Sequence, residues 1–458
     1  MSAPVVERLG ATDELAARAI GLQWSDLDPR TRQETVRHVL DTVGVMVAGA
    51  SGDVARRAAR ALAAAGVGTA GTPIPGRSES YDLLQAAYLG GTAAHGMELD
   101  DGYREGTTHP GACVVPAALA VAHREGSDGP ALLAAVAAGY EAVVAVARAC
   151  HPQLRRRGFH PTGASGVFGA AVAAARLLDL DAAATSAALG LAASSAGGLF
   201  AFLAGGADVK RLHAGNAARD GVLAALLAAE GVEGPPSVIE GPDGFAQAFA
   251  DGMTRPFEVA PDGRWGIADC YFKPYPCCRH LQPAAEATFA VRAEAGVRAD
   301  EIERIEVETY AIAADHAHTG WGDFASAQLS FPYIMALAAR DGAITLRSFD
   351  EKTRGDAELT RLAGLVQVAV DPVLDAAYPA RRPARVTIVT GRGRFTSEAM
   401  EALGSDEVPL DDAGLDEKFR GLVDPVLGTP RSVALLDALR HLPERGDVRG
   451  VLGLTTPR

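Results

Sequence analysis

The feature that most constrains this chain is a succession of alanine-rich segments with apolar residues at helical spacing, one after another, through the first 250 or so residues. Residues 26–50, 53–65, 80–98, 111–125, 129–150, 163–178 and 213–230 are rich in Ala, Leu and Arg, all good helix formers. Several are apolar almost all round, the pattern of helices buried inside a large bundle. Alanine at so many positions lets helix axes approach closely. Around Pro256 the texture changes. Ile305 and Val307 alternate with glutamates in RIEVETY, and Val366, Val368 and Val370 alternate in LVQVAV. Val386 to Thr390 is a β-branched run, and Phe395 to Met400 is a weaker candidate. These predict strands, with helices between them near 283–295, 328–340 and 358–365. From Leu415 to Leu442 the helical texture returns. The expected fold is mostly α with an α+β second domain. A large all-helical domain would span 1–268, completed by C-terminal helices at 412–458, with a smaller α+β domain at 269–411.

Composition narrows the function. A chain of 458 residues, 48% hydrophobic and 22% charged, is too apolar for disorder and too long for one ordinary core. A net charge of −14 argues against a sequence-independent nucleic-acid binder, yet local cations in a cleft can still hold an anion. The first residues show no basic segment followed by an apolar one, and Cys113, Cys150, Cys270, Cys277 and Cys278 have no C-x-x-C spacing. Both point to a cytoplasmic protein with reduced thiols and no membrane partner. The longest uncharged stretch, 182–207, is mostly Ala, Gly and Ser, and is expected to be a buried helix pair broken at Ala196-Gly197-Gly198 rather than a span. Gly66 to Gly71 matches G-x-G-x-x-G, but a helical segment precedes it and Thr72-Pro73-Ile74-Pro75 follows. A dinucleotide fingerprint must follow a strand and open a helix, so this reads as a helix end running into a turn. No nucleophile elbow, P-loop or H-E-x-x-H is present.

What carries chemistry is a set of four short polar segments. Only four lysines stand against thirty-nine arginines: Lys210, Lys273, Lys352 and Lys418. Lysine and arginine differ in geometry and in how readily their charge is tuned, so a lysine surviving in an apolar context invites a reason. Lys352 and Lys418 sit in charged segments and are expected to be solvated; Lys210 and Lys273 do not. The first polar segment runs from His95 through Glu98, Asp100 and Asp101 to His109, with His95 and Glu98 on one face if the preceding helix continues that far. The second holds His160-Pro161. The third holds Lys210 and His213, one turn apart, and the fourth is Lys273-Pro274-Tyr275-Pro276-Cys277-Cys278-Arg279-His280. His95, Glu98, Asp101 and His109 could serve as metal ligands, but the surplus of cations favours a carboxylate-bearing ligand over a divalent ion, so no metal is expected.

These segments resemble the MmgE/PrpD family, which includes 2-methylcitrate dehydratases, cis-aconitate decarboxylases and iminodisuccinate epimerases. The resembling signatures are AHGMELDD…THPGACVVPAALA, GFHPTGASGVFGAA, KRLHAGNAARDG, KPYPCCRHLQPAAEA, AQLSFPYIMALA and LDEKFRGLV, in order from residue 94 to about 422. The resemblance implies a large helical domain built from both termini, a smaller α/β lid, a homodimer, and a site needing neither metal nor organic cofactor. It carries catalytic roles onto His109, His160, Lys210 and Lys273. Glu98 falls where the decarboxylases have Asp. Two departures stand out: a threonine after the Asp pair becomes Gly102, with one extra residue before His109, and a histidine in the Lys-Pro loop becomes Cys278. Methylcitrate dehydratases read HPSDN where this chain has His109-Pro110-Gly111-Ala112-Cys113.

The chemistry implied moves a proton or breaks a bond beside a carboxylate of a small di- or tricarboxylic acid, by dehydration or decarboxylation. Charge developing on an enediolate calls for fixed cations, the role expected of Lys210 and Lys273 with Arg279 as a third. Imidazoles, with an ordinary pKa of about 6.5, suit the acid and base, assigned to His109 and His160 without choosing between them. Glu98, Asp101, His213, Cys278, Arg279 and Tyr333 complete the expected substrate-binding set. Epimerisation of a small dicarboxylate such as iminodisuccinate, or a member that has lost turnover, are the alternatives.

Overall fold

The computed structural model describes residues 9–66, 71–204 and 208–457. Its internal contacts divide the chain into two compact units, Met1–Tyr271 with Asp412–Arg458, and Phe272–Asp411. It is mostly α, with a small mixed sheet confined to the second unit.

The first unit is a helical assembly: α1 (Ala11–Gly21), α2 (Pro29–Gly49), α3 (Asp53–Ala64), α4 (Leu83–His95), α5 (Pro110–Glu125), α6 (Gly129–Cys150), α7 (Pro161–Leu177), α8 (Ala182–Ala193) and α9 (Asp208–Ala229). The Asp412–Leu427 and Thr429–Arg440 helices of the C-terminal segment belong to it as well. Small residues set its spacing. A Cβ on Gly169 would stand 2.5 Å from the Gly139 carbonyl oxygen, so α6 and α7 touch backbone to backbone. A Cβ on Gly215 would stand 2.4 Å from the Tyr88 carbonyl, and α4 and α9 meet the same way. Helix α6 is long and apolar enough to cross a bilayer by length and composition, but 89% of its apolar window is buried inside the protein. Helices α2, α4, α6 and α8 begin with Asp28, Asp82, Asp128 and Asp181, whose carboxylates accept first-turn N–H groups. Helices α5 and α7 begin differently. His109 and His160 occupy their N-cap positions, make no side-chain cap, and are followed by proline at the first helical position. Proline supplies the start geometry without needing an N–H, which leaves both imidazoles to other partners.

Two expectations need correction here. Helix α4 stops at His95, so Glu98 lies in the loop beyond it with a left-handed φ of +54°, and no shared helical face unites the two. The uncharged stretch is not a helix pair. Helix α8 is followed by a Gly-rich turn and a 3-10 segment at Phe200–Ala204, and α8 keeps a partly exposed face; residues 205–207 lie outside the described residues. The G-x-G-x-x-G segment follows the end of α3, and its residues 67–70 also lie outside them. Helix α1, which the composition did not single out, packs its Leu15, Ala16 and Ala19 into the core.

The second unit carries strands β1 (Ile302–Thr309), β2 (Val366–Val370), β3 (Ala384–Thr390) and β4 (Gly393–Ala399), in the order β2-β1-β3-β4. β1 and β2 are parallel with Ile305 opposite Val366, whereas β1–β3 and the hairpin β3–β4 are antiparallel. Ile305, Val307, Val386 and Ile388 face a core shared with the Gln282–Ala295 and Phe331–Asp341 helices. The valines of LVQVAV do not join it fully. β2 is an edge strand, and Val370 is 47% exposed.

Candidate active site

In the helical unit the end of α4, the loop after it, and the starts of α5, α7 and α9 converge. His95 Nδ1 lies 2.5 Å from Asp100 Oδ2; a carboxylate only accepts, so the imidazole donates. His109 Nδ1 donates to the Asp101 carbonyl oxygen at 2.5 Å, and its backbone N–H donates to Thr162 Oγ1 at 3.2 Å. The carbonyl fixes the proton on Nδ1 and leaves Nε2 as the basic atom of His109. The His95 ring stands between two others, 5.1 Å from His109 and stacked 5.6 Å from His160. His160 Nδ1 and His213 Nδ1 are 3.0 Å apart, and Phe200 and Phe202 present their edges to the His160 ring. Gly198, with φ of +102°, lies against His213. A Cβ there would be 3.1 Å from the ring, so the glycine-rich turn is the bed of that imidazole. Lys210 Nζ donates to Glu98 Oε1, and both side chains are buried. Glu98 is held in a backbone conformation that L residues seldom adopt, a feature common at functional sites.

The electrostatics follow from crowding. Burial first, then the neighbouring His95, Lys210, His213 and His109, hold the His160 imidazole well below its ordinary pKa. Burial, His95 and Lys210 bring His213 down to about 4. Both rings are therefore neutral at physiological pH.

Beneath this layer lies a support for Asp101. Its carboxylate accepts from the Gly111 N–H at 3.0 Å and from the Tyr140 hydroxyl at 2.7 Å, and His38 Nδ1 lies 2.9 Å away. A Cβ on Gly111 would fall within 3 Å of Tyr140 Oη, Thr42 Oγ1 and Asp101 Oδ1, so the serine of the dehydratase motif has no room here. Lys418 proves not to be solvated: its ammonium pairs with Asp41 at 2.6 Å and donates to the Leu99 carbonyl at 2.9 Å. It thereby ties the C-terminal helix to the loop bearing Asp100 and Asp101. Gly102 is explained by Tyr271. A Cβ at residue 102 would lie 2.3 Å from the Tyr271 phenol oxygen, and the two backbones exchange hydrogen bonds of 3.0 and 2.8 Å. The Tyr271 hydroxyl thus fills the space that a side chain at residue 102 would need.

The fourth segment belongs to the α/β unit, described by itself. Lys273 is buried, 1% exposed. Arg279 is a correction. Its guanidinium donates to the Phe272, Ala402 and Leu403 carbonyls and to Gln282, stapling the loop instead of presenting a free cation. Tyr333 is another: it is fully buried, its hydroxyl donates to the Ser348 carbonyl at 2.6 Å, and Trp321 and Phe349 flank its ring, which makes it core. Cys278 is half-buried, its sulfur 3.8 Å from His316 Nε2.

The expected residues of the helical unit, Glu98, Asp101, His109, His160, Lys210 and His213, are brought into one cluster. Sequence reasoning named His95 and Asp100 without giving them roles, and passed over His38, Tyr140 and Tyr271. Tyr140, beside Glu141 in the otherwise apolar middle of α6, was an available signal, whereas His38 sits in the polar half of α2 and gives none. Among the described residues, His95, Asp100 and His109 offer ligand atoms within 4.8 Å of one another. The Nδ1 nitrogens of both histidines already donate to oxygen, which leaves each ring its Nε2 for a further partner.

A helical unit with a buried imidazole–lysine cluster, paired with a small α/β unit, defines the class. The chain belongs to the MmgE/PrpD family: residues 13–258 match the family's N-terminal domain and 275–441 its C-terminal domain. It is 27% identical over 451 residues to a cis-aconitate decarboxylase of Homo sapiens, covering 95% of this chain and 92% of that protein. It is 26% identical over 404 residues to a cis-aconitate decarboxylase of Aspergillus terreus, covering 83% and 82%.

Proposed function

We propose that the chain is a lyase acting next to a carboxylate of a small tricarboxylic acid, with decarboxylation of a cis-aconitate-like substrate as the leading reaction. The observation that carries this reading is the contact of His95, His109, His160 and His213 around buried Lys210, in a family whose curated relatives are cis-aconitate decarboxylases. In such a substrate the departing carboxylate is allylic to a conjugated one. The carbon–carbon bond breaks, carbon dioxide leaves, and the electron pair is drawn through the double bond into a dienediolate. Lys210 stabilises that charge. A proton then returns to carbon. His160, neutral and buried, is suited to acquire a proton when an anionic substrate raises its basicity, and His109, with its tautomer fixed by the Asp101 carbonyl, is suited to relay one through Nε2.

A second reading, proton transfer without bond cleavage as in an epimerase, is favoured by the exchange of a threonine for Gly102, with the Tyr271 hydroxyl filling the space beside it. Incubating the protein with cis-aconitate, citrate, methylcitrate and iminodisuccinate in D2O, followed by NMR, separates the two. Loss of carbon dioxide with one deuterium delivered to product carbon supports decarboxylation. Deuterium entering an unchanged skeleton supports the epimerase, and no reaction of any acid defeats both.

A further inference from the structure

Cys278 differs from the other cysteines of the chain. Cys113, Cys150 and Cys270 are buried, and burial pushes each thiol up, to about 12 for Cys150. Cys277 is wholly buried in the core of the α/β unit. Cys278 alone is half-buried rather than buried, and its sulfur lies 3.8 Å from His316 Nε2. Its backbone carbonyl accepts from the Leu281 N–H at 3.0 Å and starts the 3-10 turn Arg279–Leu281, which runs directly into the Gln282–Ala295 helix. The groups facing His316 are Cys278, Asp315 on its own loop, and His280, whose ring is stacked at 6.4 Å. Burial alone would lower the His316 pKa, but the Cys278 sulfur, a hydrogen bond to the Leu329 backbone and Asp315 together outweigh it and the imidazole is raised.

We infer that Cys278 and His316 form a thiolate–imidazolium pair that makes Cys278 a covalent modification site for soft electrophiles and hydroperoxides. Thiolate character, here given by an adjacent imidazolium, is what sets cysteine reactivity. With hydrogen peroxide, the sulfur attacks one peroxide oxygen, a sulfur–oxygen bond forms and the oxygen–oxygen bond breaks. The departing hydroxide takes the His316 proton and leaves as water. The sulfur is oxidised to a sulfenic acid and the peroxide is reduced. Cys278 also stands in the expected substrate-binding set, and the labelling below reads its thiolate character without any turnover.

The test is iodoacetamide labelling of the full-length protein from pH 5 to 10, read peptide by peptide by mass spectrometry. Cys278 should label at least about tenfold faster at pH 7 than it does in urea, with a midpoint below the roughly 8.5 of a free thiol. In His316→Gln the pH 7 rate should fall about tenfold and rejoin the wild type near pH 9.5. Brief hydrogen peroxide treatment should make Cys278 reactive to dimedone. A wild-type midpoint at or above the free-thiol value, unchanged labelling in His316→Gln, or no dimedone adduct would each overturn the inference. The wild-type profile decides the matter even if the variant fails to fold.

Discussion

The imidazoles of His160 and His213 meet Nδ1 to Nδ1 at 3.0 Å, a contact open only to a pair in which one ring donates and the other accepts. Two imidazolium ions could not share it. Burial and the neighbouring charges enforce the neutral state, with His213 brought down to about 4.

Stability should therefore depend on pH in a defined window. Between about 6.5 and about 4 the unfolded imidazoles bind protons while the folded ones do not, so these two residues make stability fall as pH falls. Urea melts at pH 7 and pH 5 check this. The His213→Asn variant should lose less stability between those values than the wild type; an equal loss would contradict it.

Asp101 is a buried carboxylate held by Gly111, Tyr140 and His38. Tyr140→Phe removes one donor and leaves its oxygen under-satisfied, which should cost about 1–3 kcal/mol. Thermal melts read the loss directly. Because His109 leans on the Asp101 carbonyl, kcat should drop as well in a steady-state assay with the substrate the panel identifies.

Lys418 and Asp41 form a buried ion pair below the same loop. Burial pushes the Asp41 carboxyl up, and Lys418 opposes that shift. Lys418→Met strands the carboxylate and should destabilise the helical unit by roughly 3–5 kcal/mol, while Lys418→Met with Asp41→Leu should recover most of it. Denaturant titration of the four members of the cycle measures the coupling.

Gly102 and Tyr271 should be coupled sterically. Gly102→Ala drives a methyl into the phenol and should cost about 1–3 kcal/mol. In a Tyr271→Ala background the same change should cost close to nothing, as melting temperatures of the two pairs would show.

Much of this arrangement was legible because helical periodicity and rare polar residues are local signals. The long alanine-rich helices and the alternating β1 announced themselves, and the His-Pro pairs pointed to α5 and α7. What was hidden depends on distance along the chain. The Lys418–Asp41 pair joins residues far apart, and lysine in a charged run gives no local sign of burial. Arg279 looked like a substrate cation because nothing in the sequence shows that three carbonyls surround its guanidinium. Tyr333 lies in a motif, yet its ring is spent on the core. Glu98 would share a face with His95 only if the helix ran on, and no local signal shows that it ends at His95 with Glu98 left-handed in the loop beyond.

The central claim is that buried imidazoles around one lysine perform acid–base chemistry on a carboxylic acid. Its most direct measurement is kcat/KM for His160→Ala and Lys210→Ala on the acid the wild type turns over, with folding of each variant checked by circular dichroism. Both should fall by at least about two orders of magnitude, the loss expected when a general acid–base group or its charge partner is removed. Near wild-type turnover in both would contradict the account.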